Sequence, residues 1–467
     1  MPFSEFLHSR REDCHALIRE LSKTYAYVGI LGADVKSTAI LANRRMTDIS
    51  EGSLTECGFV VKMHDGHAFF EYSLDDVRGD AKALAEKIVA SVALSPDMTD
   101  RQIQVSAVRD EPLVQSFARP CDFDDYSEED LLTFAKEIRD GILKEDDRVV
   151  NATARIMPFT VSKLFISPNR ELDQFYSWVN IMGVAVFRDG EKMVMAHEGT
   201  YSNLMKEAMD GMPALIPVLV EKARKLASAK PITPGIYDVI TDPSISGLIA
   251  HEAFGHGVEM DQFVKDRALA KQFVGKYVAS PICNMRDGAA SAFSTASYVF
   301  DDDGVLAGDT QIIKDGILVA GISDLVSATE LGSEPTGNGR RQSYKRKAYS
   351  RMTNTFFCPG KDKLENMIAS IKHGYMLFET NNGMEDPKNW QIQCTAEYGI
   401  EIVDGKLTDN YVSPVVMSGS VPELLKSISM VSDDFKIIGS GSCGKGYQEW
   451  VRVADGGPAL KVRVKLA

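Results

Sequence analysis

The chain has 467 residues, of which 44% are hydrophobic and 25% are charged. This length exceeds one average domain, and the composition is that of an ordinary globular protein rather than of a disordered chain. Acidic residues outnumber basic residues by 66 to 52, and the resulting net charge of −14 repels polyanions, so a nucleic-acid partner is not expected.

The first half of the chain alternates helical and strand patterns. Four segments have apolar residues at helical spacing and are predicted to be helices: 4–22, about 75–94, about 127–145 and about 203–229. Ser4 is a candidate N-cap for the first, and Ser127 with Asp130 resembles a capping box for the third. Residues 26–35 read as a strand. Two Asp-Gly pairs between β-rich runs predict hairpins: Asp65-Gly66 and Asp189-Gly190.

Pro231 and Pro234 follow the fourth helix, and because prolines stop helices, a domain boundary is predicted near residue 230. Hairpin signals dominate beyond this point: Asp315-Gly316, Asp404-Gly405 and the alternating run 459–467. The predicted fold class is α+β. An N-terminal mixed α/β domain (1–229) is followed by a mainly antiparallel β domain (230–467) that carries the candidate metal-binding helix.

The sequence also bears on the cellular compartment. Its start has no apolar segment of the kind that a secretory signal needs, and no apolar run approaches about 18 residues. The seven cysteines are widely scattered and never form a CxxC pair, so they are interpreted as reduced thiols. A cytoplasmic protein without a membrane partner is therefore expected.

Two of the eight histidines stand five residues apart in HEAFGH, residues 251–256, after a helix start at Asp242-Pro243-Ser244. On a straight α-helix, residues five apart are separated by about 140°, against about 40° for the four-residue spacing of the usual zinc helix. On a straight helix the two imidazoles therefore cannot face the same metal ion. Gly255 and Gly257 would allow a wider turn or a helix end, and the helix is predicted to bend or end between Phe254 and Gly257.

Neighbouring residues suit the chemistry of a zinc hydrolase. Glu252 follows the first histidine, as the general base does in zinc-peptidase helices, where a carboxylate takes a proton from the attacking water. A catalytic zinc usually has three protein ligands, and Cys443, between glycines, is a suitable third because a thiolate binds zinc well. Lys445 would favour the ionised sulfur. Spacing alone leaves another interpretation open, in which His251 and His256 cap helix carbonyls and Cys443 only packs.

Three motifs resemble those of the TldD/PmbA family of metallopeptidases, once labelled modulators of DNA gyrase. They are HEAFGHGVEMD (251–261), EPTGNGRRQSYKRKAYSRMTNTF (334–356) and GSGSCGKGYQ (439–448). The resemblance is strong over about 230–467 and looser in the first half. Family members divide into a metal-bearing type with HExxxH and a partner type that lacks it. This chain has the motif.

The resemblance implies that His251, His256 and Cys443 are zinc ligands and that Glu252 is the catalytic acid/base. It also implies an enclosed site between the domains, and dimerisation as a homodimer or as a heterodimer with a family partner. The chain departs from the family pattern at Glu259-Met260-Asp261 and in the tail after the lysine that follows Cys443. These departures concern substrate preference more than metal binding.

The basic run GRRQSYKRKAYSR, residues 339–351, is typical of a solvated loop. Net charge disfavours nucleic-acid binding by this run. In a peptidase domain, a cationic loop can also hold a substrate carboxylate or polarise the scissile carbonyl. Arg340, beside TGNG, is the candidate for such a catalytic role.

The sequence thus predicts a zinc-dependent peptidase that hydrolyses unfolded or extended peptides, with Glu252 as general acid/base. A peptide would enter by adding a strand to a sheet edge, which reads its backbone rather than its side chains and gives broad specificity. The alternative is a non-catalytic, peptide-binding partner subunit of a TldD/PmbA-type complex. That alternative requires that the metal never loads.

Overall fold

The structure is a computed structural model that describes residues 3–92, 110–439, 441–447 and 449–467. Its helices are α1 (Glu5–His8), α2 (Arg11–Leu21), α3 (Ala81–Val92), α4 (Glu128–Glu145), α5 (Met205–Ser228), α6 (Pro243–Leu248), α7 (Met260–Val264), α8 (Leu325–Leu331), α9 (Leu364–Ala369) and α10 (Val421–Lys426). None of the helices in these ranges is long and apolar enough to cross a bilayer.

The strands of the first half form one sheet. They are β1 (Tyr27–Asn43), β2 (Thr47–Glu51), β3 (Glu56–His64), β4 (Phe69–Leu74), β5 (Leu113–Ala118), β6 (Val149–Ile166), β7 (Arg170–Asp189) and β8 (Lys192–Ser202). The order is β4-β3-β1-β6-β7-β5, with β2 beside β1 and β8 beside β7. Helices α1 to α3 pack with β1 and β3, and α4 and α5 pack with β6 to β8.

The second half contains many short strands. They are β9 (Gly235–Thr241), β10 (Met285–Asp287), β11 (Thr310–Lys314), β12 (Ile317–Leu318), β13 (Gly339–Arg340), β14 (Tyr349–Ser350), β15 (Asn354–Phe357), β16 (His373–Asp386), β17 (Gln391–Val403), β18 (Lys406–Val412), β19 (Val415–Ser420), β20 (Met430–Val431), β21 (Lys436–Ile438), β22 (Ser442–Lys445), β23 (Glu449–Arg452), β24 (Ala454–Gly457) and β25 (Leu460–Leu466).

Two sheets and a hairpin position the site. Strands β16, β9, β25, β19 and β17 pair in that order, and the pairing of β16 with β17 closes them into a ring. The second sheet has the order β12-β11-β10-β15-β24-β21, and β22 pairs with β23 as a separate hairpin. The largest apolar cluster joins α6 to strands of both sheets. Helix α6 is therefore anchored in the core of the second half.

The predicted α+β fold class is confirmed. The four Asp-Gly pairs predicted as hairpin turns connect antiparallel neighbours, namely β3–β4, β7–β8, β11–β12 and β17–β18. The capping box before α4 is present, since Ser127 and Asp130 each bond to the other's backbone N–H. These features depend on contacts between near neighbours in sequence, which is why the sequence predicts them well.

Two predicted helices differ from those observed. The segment 4–22 is divided into α1 and α2 at Ser9 and Arg10, where the guanidinium of Arg10 turns to Asp76. The segment 75–94 becomes helical only at Ala81, because Asp76 accepts from Arg10 and Asp80 accepts from the first-turn N–H groups. Residues 93 and 94 of that prediction lie outside the described residues.

The two halves meet through both apolar and charged contacts. Helix α5 packs on β7 and β8 and also contacts Tyr398 and Tyr411 of the second half. Buried ion pairs join Lys62 to Asp303 and Lys163 to Asp302. The domain boundary near residue 230 stays a prediction, and it falls in the connection between α5 and β9.

Candidate metal centre

Helix α6 begins as the sequence predicts. Asp242 accepts a hydrogen bond from the Ile245 N–H at 2.8 Å, and Pro243 occupies the first turn, where its missing N–H costs nothing. The backbone then widens into a π turn over Ile249–Gly255. The His256 N–H donates to the His251 carbonyl, which is the five-residue bond of a π turn. Residues five apart are thereby brought to the same side.

The predicted distortion is thus present, but it begins at Ile249, before the first histidine, rather than at Phe254. The predicted reason for a glycine at 255 is also wrong. Gly255 has right-handed dihedrals (φ −61°, ψ −50°), which any residue can adopt. A Cβ there would overlap the Met352 sulfur and would lie 3.0 Å from the Ala250 carbonyl oxygen. Close packing requires the glycine.

Three side chains with metal-ligating atoms converge after this turn. His251, His256 and Cys443 each place one such atom within 4.8 Å of the others. The imidazole rings lie 5.1 Å apart at 85°, and Cys443 Sγ is 3.5 Å from His256 Nε2. His251 and Cys443 are buried. Two nitrogens and one sulfur are the donor types that zinc prefers, and three protein ligands are usual at a catalytic zinc.

The protonation of this cluster follows from its charges. Burial alone raises the pKa of the Cys443 thiol, but the two histidines outweigh burial and lower that pKa well below its usual range. Burial lowers the pKa of His251, and the Cys443 sulfur outweighs it and raises that pKa to about 9. The cluster therefore favours a thiolate, which is the form of cysteine that binds metals.

The residues present fit a divalent metal ion. His251 Nδ1 is buried without a hydrogen-bond partner and lies 3.9 Å from Asp455 Oδ2. Buried polar atoms are almost always paired, so a buried imidazole nitrogen without a partner needs an explanation, and a bound ion is one. The donors also belong to elements that are fixed in place. Arg351, fully buried, donates to the carbonyls of Cys443 and Glu449 and so holds the β22–β23 hairpin.

Glu252 lies on the open side of the cluster. Its Oε2 is 3.8 Å from His256 Nε2, and its side chain faces a cleft of about 730 Å³. Strand β16 forms the opposite wall. Gly383 of that strand approaches so closely that a Cβ would lie 2.6 Å from Glu252 Cγ. A carboxylate beside three metal-ligating atoms in an open cleft is the arrangement of a hydrolytic centre.

Two residues that the sequence analysis singled out lie elsewhere than expected. Arg340 donates to the carbonyls of Met352 at 2.7 Å and Arg452 at 2.5 Å, and it lines a neighbouring cavity of about 500 Å³. Its catalytic role stays a prediction. Lys445 binds Glu259 and Asp261 at 2.9 and 2.6 Å, so it neutralises carboxylates rather than the Cys443 sulfur.

Sequence reasoning missed several residues of this centre. Glu259 contacts His256 from behind, Asp455 lies beside His251, and Glu385 accepts from the Gly257 N–H at 3.0 Å. Burial raises the pKa of Asp455 to about 6 and that of Glu385 to about 8. No local pattern in the sequence marks Asp455 and Glu385, because strands that are distant in sequence bring them to the centre, whereas Glu259 follows His256 by three residues.

Fold and site together define an α+β protein of the kind found among metallopeptidases. A family profile described as the PmbA/TldA metallopeptidase C-terminal domain matches residues 234–465. The chain is 32% identical to a Synechocystis sp. metalloprotease over 62% of this chain and 63% of that one. It is 30% identical to a Methanothermobacter thermautotrophicus metalloprotease over 68% of this chain and 69% of that one. It is also 30% identical to a Saccharolobus solfataricus zinc metalloprotease TldD homolog over 64% of this chain and 67% of that one.

Solved structures agree on the fold. A Thermotoga maritima protein named as a modulator of DNA gyrase superimposes with a TM-score of 0.78 at 17% identity, covering 98% of this chain and 99% of that one. TldE from Thermococcus kodakarensis superimposes with a TM-score of 0.75 at 18% identity, covering 97% of this chain and 100% of that one. The chain belongs to the TldD/PmbA family of metallopeptidases. It spans about half to two thirds of the length of the curated relatives that it matches.

Proposed function

We propose that this chain is a zinc-dependent peptidase acting on unfolded or extended peptides. The observation that carries the proposal is the convergence of His251, His256 and Cys443 beside Glu252 at the base of an open cleft. His251, His256 and Cys443 would hold the ion. The name of the Saccharolobus relative supports zinc as the metal. When bound, a zinc ion would polarise the scissile carbonyl and make a water more acidic.

Glu252 is the residue proposed to move the proton. Its side chain is about one-sixth exposed and its Oε2 is directed towards the cluster, so it can accept a proton from the attacking water and return it to the leaving amine. His251 and Cys443, both buried, hold their positions while Glu252 faces the cleft. The proposed ligands His251 and Cys443 are therefore held rigidly, while the proposed base, Glu252, stays accessible to substrate and water.

A peptide would bind along β16. This strand pairs with β17 along its whole length but with β9 only over Gly374–Leu377. The stretch from Thr380 to Glu385 then lines the cleft opposite Glu252, and no described strand pairs with its second edge. An extended peptide added at this edge would be held by its backbone, which favours unfolded substrates of varied sequence.

The rim of the cleft supports assembly with a second chain. Met384 and Trp450, which line the cleft, are 68% and 47% exposed, and large apolar side chains around one opening are typical of surfaces that become covered. TldE is the name of one structural neighbour. Dimerisation, with a second copy or with a family partner, would place part of the partner over the cleft.

The proposal is tested by Glu252→Gln. The amide keeps the shape of the side chain but cannot take a proton, so cleavage of an unstructured peptide should fall by about 10²- to 10⁴-fold. Zinc content, measured by mass spectrometry on the same preparation, should stay near one ion per chain. Cleavage is measured with the purified protein alone and with its natural partner present.

Glu401→Gln serves as the matched control. Glu401 is on β17 and bonds to His373 and Asn410, away from the cleft, so this change removes the same charge without touching the site. Its cleavage rate should equal that of the wild type. Undiminished cleavage by a zinc-loaded Glu252→Gln protein would contradict the proposal. A wild type that binds peptide but neither loads metal nor cleaves would instead support the non-catalytic partner subunit.

A further inference from the structure

We propose that Glu259 is a positioning residue that fixes the tautomer and orientation of His256, and that Lys445 anchors Glu259 for this purpose. The inference rests on the metal site of the proposed function. It assigns a role to two features of the sequence that the reaction itself does not use: the Glu259-Met260-Asp261 segment and the lysine two residues after Cys443.

The contact between Glu259 and His256 is direct. Glu259 Oε2 lies 3.1 Å from His256 Nδ1, on the side of the ring away from Cys443. An ionised carboxylate can only accept, so the Nδ1 must carry the proton. The lone pair of Nε2, which is 3.5 Å from Cys443 Sγ, is then left for a metal ion. A carboxylate behind a histidine ligand also makes the imidazole a stronger donor.

Burial shows that Glu259 is held in this place. It is 1% exposed, and a buried carboxylate needs compensating charge. Lys445 Nζ supplies it at 2.9 Å, and Arg351 Nε lies 3.9 Å from the other carboxylate oxygen. The side chain of Arg351 is fully buried and that of Lys445 is only 9% exposed, so these pairs are little screened by solvent.

Lys445 also links the ligands mechanically. It is on β22, as is Cys443, and alternation along a strand directs both side chains to the same face. One short strand therefore provides the sulfur donor and, through Glu259, the support behind the His256 donor. Asp261 and the Ser350 carbonyl take the other donors of the ammonium group, at 2.6 and 3.0 Å.

The test compares two variants of Glu259. Glu259→Gln keeps an acceptor for Nδ1–H but loses the charge, whereas Glu259→Leu loses both. Changes behind a metal ligand typically cost about 10- to 100-fold in affinity. We expect zinc affinity to fall in the order wild type, Gln, Leu across this range, measured by competition with a chelator. The visible spectrum of the Co²⁺-loaded Leu variant should also change, because the His256 ring is no longer held.

Two controls separate this role from a structural one. Asp261→Asn removes a carboxylate from the same lysine without touching His256, so affinity should stay within about threefold and the Co²⁺ spectrum should be unchanged. Glu71→Gln changes a comparable glutamate, which is held by Lys62 and Arg341 and does not line the cleft. It should lower the melting temperature of the metal-free protein but leave zinc affinity unchanged.

The outcomes are distinct. If the wild type binds neither zinc nor Co²⁺, the proposed function itself fails. If the wild type binds and Glu259→Leu binds equally well with the same Co²⁺ spectrum, Glu259 has no positioning role. Equal losses in Glu259→Leu and Asp261→Asn would show that the charge of the lysine cluster matters, rather than the bond to His256, and would overturn the inference.

Discussion

The sulfur of Cys443 differs from the other thiols of this chain because of the two imidazoles beside it. Cys283 and Cys394 are equally buried, and burial raises the pKa of both thiols. At Cys443 the histidines reverse that effect. The thiolate form is thus favoured at Cys443 by its neighbours in space rather than by its burial or by the residues adjacent to it in sequence.

Replacing Cys443 by Ser should remove most of the metal. A serine hydroxyl stays protonated at neutral pH and is a poor zinc ligand, so affinity should fall by more than about 100-fold. Zinc content after dialysis against a chelator measures the loss. Cys57→Ser is the control, since burial keeps this thiol protonated, with a pKa of about 12, and it lies in the first half. Full occupancy in the Cys443 variant would exclude the sulfur as a ligand.

At this scale the sequence marks the candidate ligands but not the residues that support them. His251, Glu252 and His256 share one short motif, and Cys443 stands out through its glycine neighbours. Glu259 and Lys445 are 186 residues apart, and their pairing depends on how β22 lies against the π turn. Asp455 reaches His251 in the same way. Charged residues that pair in space but are far apart in sequence leave no periodic signal in the sequence.

Among the elements, the π turn after α6 decides whether the two histidines can face the same metal ion. The spacing of the histidines predicts a departure from the α-helix, because the angle between residues five apart is fixed by helix geometry. It does not predict where the departure begins. The structure places the widening at Ile249, and Met352 packs against Gly255 at its end.

Gly255→Ala should disturb this turn. The added methyl group overlaps the Met352 sulfur, and overpacking of this kind costs about 1 to 3 kcal/mol. We expect a lower free energy of unfolding for the metal-free protein and weaker zinc binding, measured by denaturant titration and chelator competition. The double variant Gly255→Ala/Met352→Ala provides space and should recover zinc affinity. Failure to recover would show that the backbone at 255, and not the methionine, limits the turn.

On the scale of the whole molecule, charged contacts join the two halves. Lys62 and Lys163 of the first sheet meet the consecutive carboxylates Asp303 and Asp302 of the second half. Arg341, which follows Arg340 in the basic run, binds Glu71. The run predicted as a solvated loop is therefore partly a contact between the two halves of the chain, which composition alone cannot distinguish from a solvent-exposed charge cluster.

These ion pairs should make the free energy of unfolding depend on pH in the acid range. Burial raises the pKa of Glu71, but Lys62 and Arg341 outweigh it and hold that pKa at about 2, below the ordinary 4.5. A lowered pKa gives stability that is complete above about pH 4.5 and is lost as the pH falls towards 2. Glu71→Gln should remove up to about 3 kcal/mol at neutral pH. The difference in free energy of unfolding from wild type should shrink between pH 4.5 and 2, and a constant difference would contradict this assignment.

The π turn means that the length of HEAFGH cannot be changed by itself. Deleting one residue between the histidines would restore the spacing of the common zinc signature. The same deletion would rotate everything that follows by about 100° on a regular helix. Glu259 would move with the second histidine and leave Lys445, and the Gly257 N–H would leave Glu385. The extra residue between the histidines and the wide turn depend on each other. A protein descended from this chain could therefore lose both features together but could not lose either one alone.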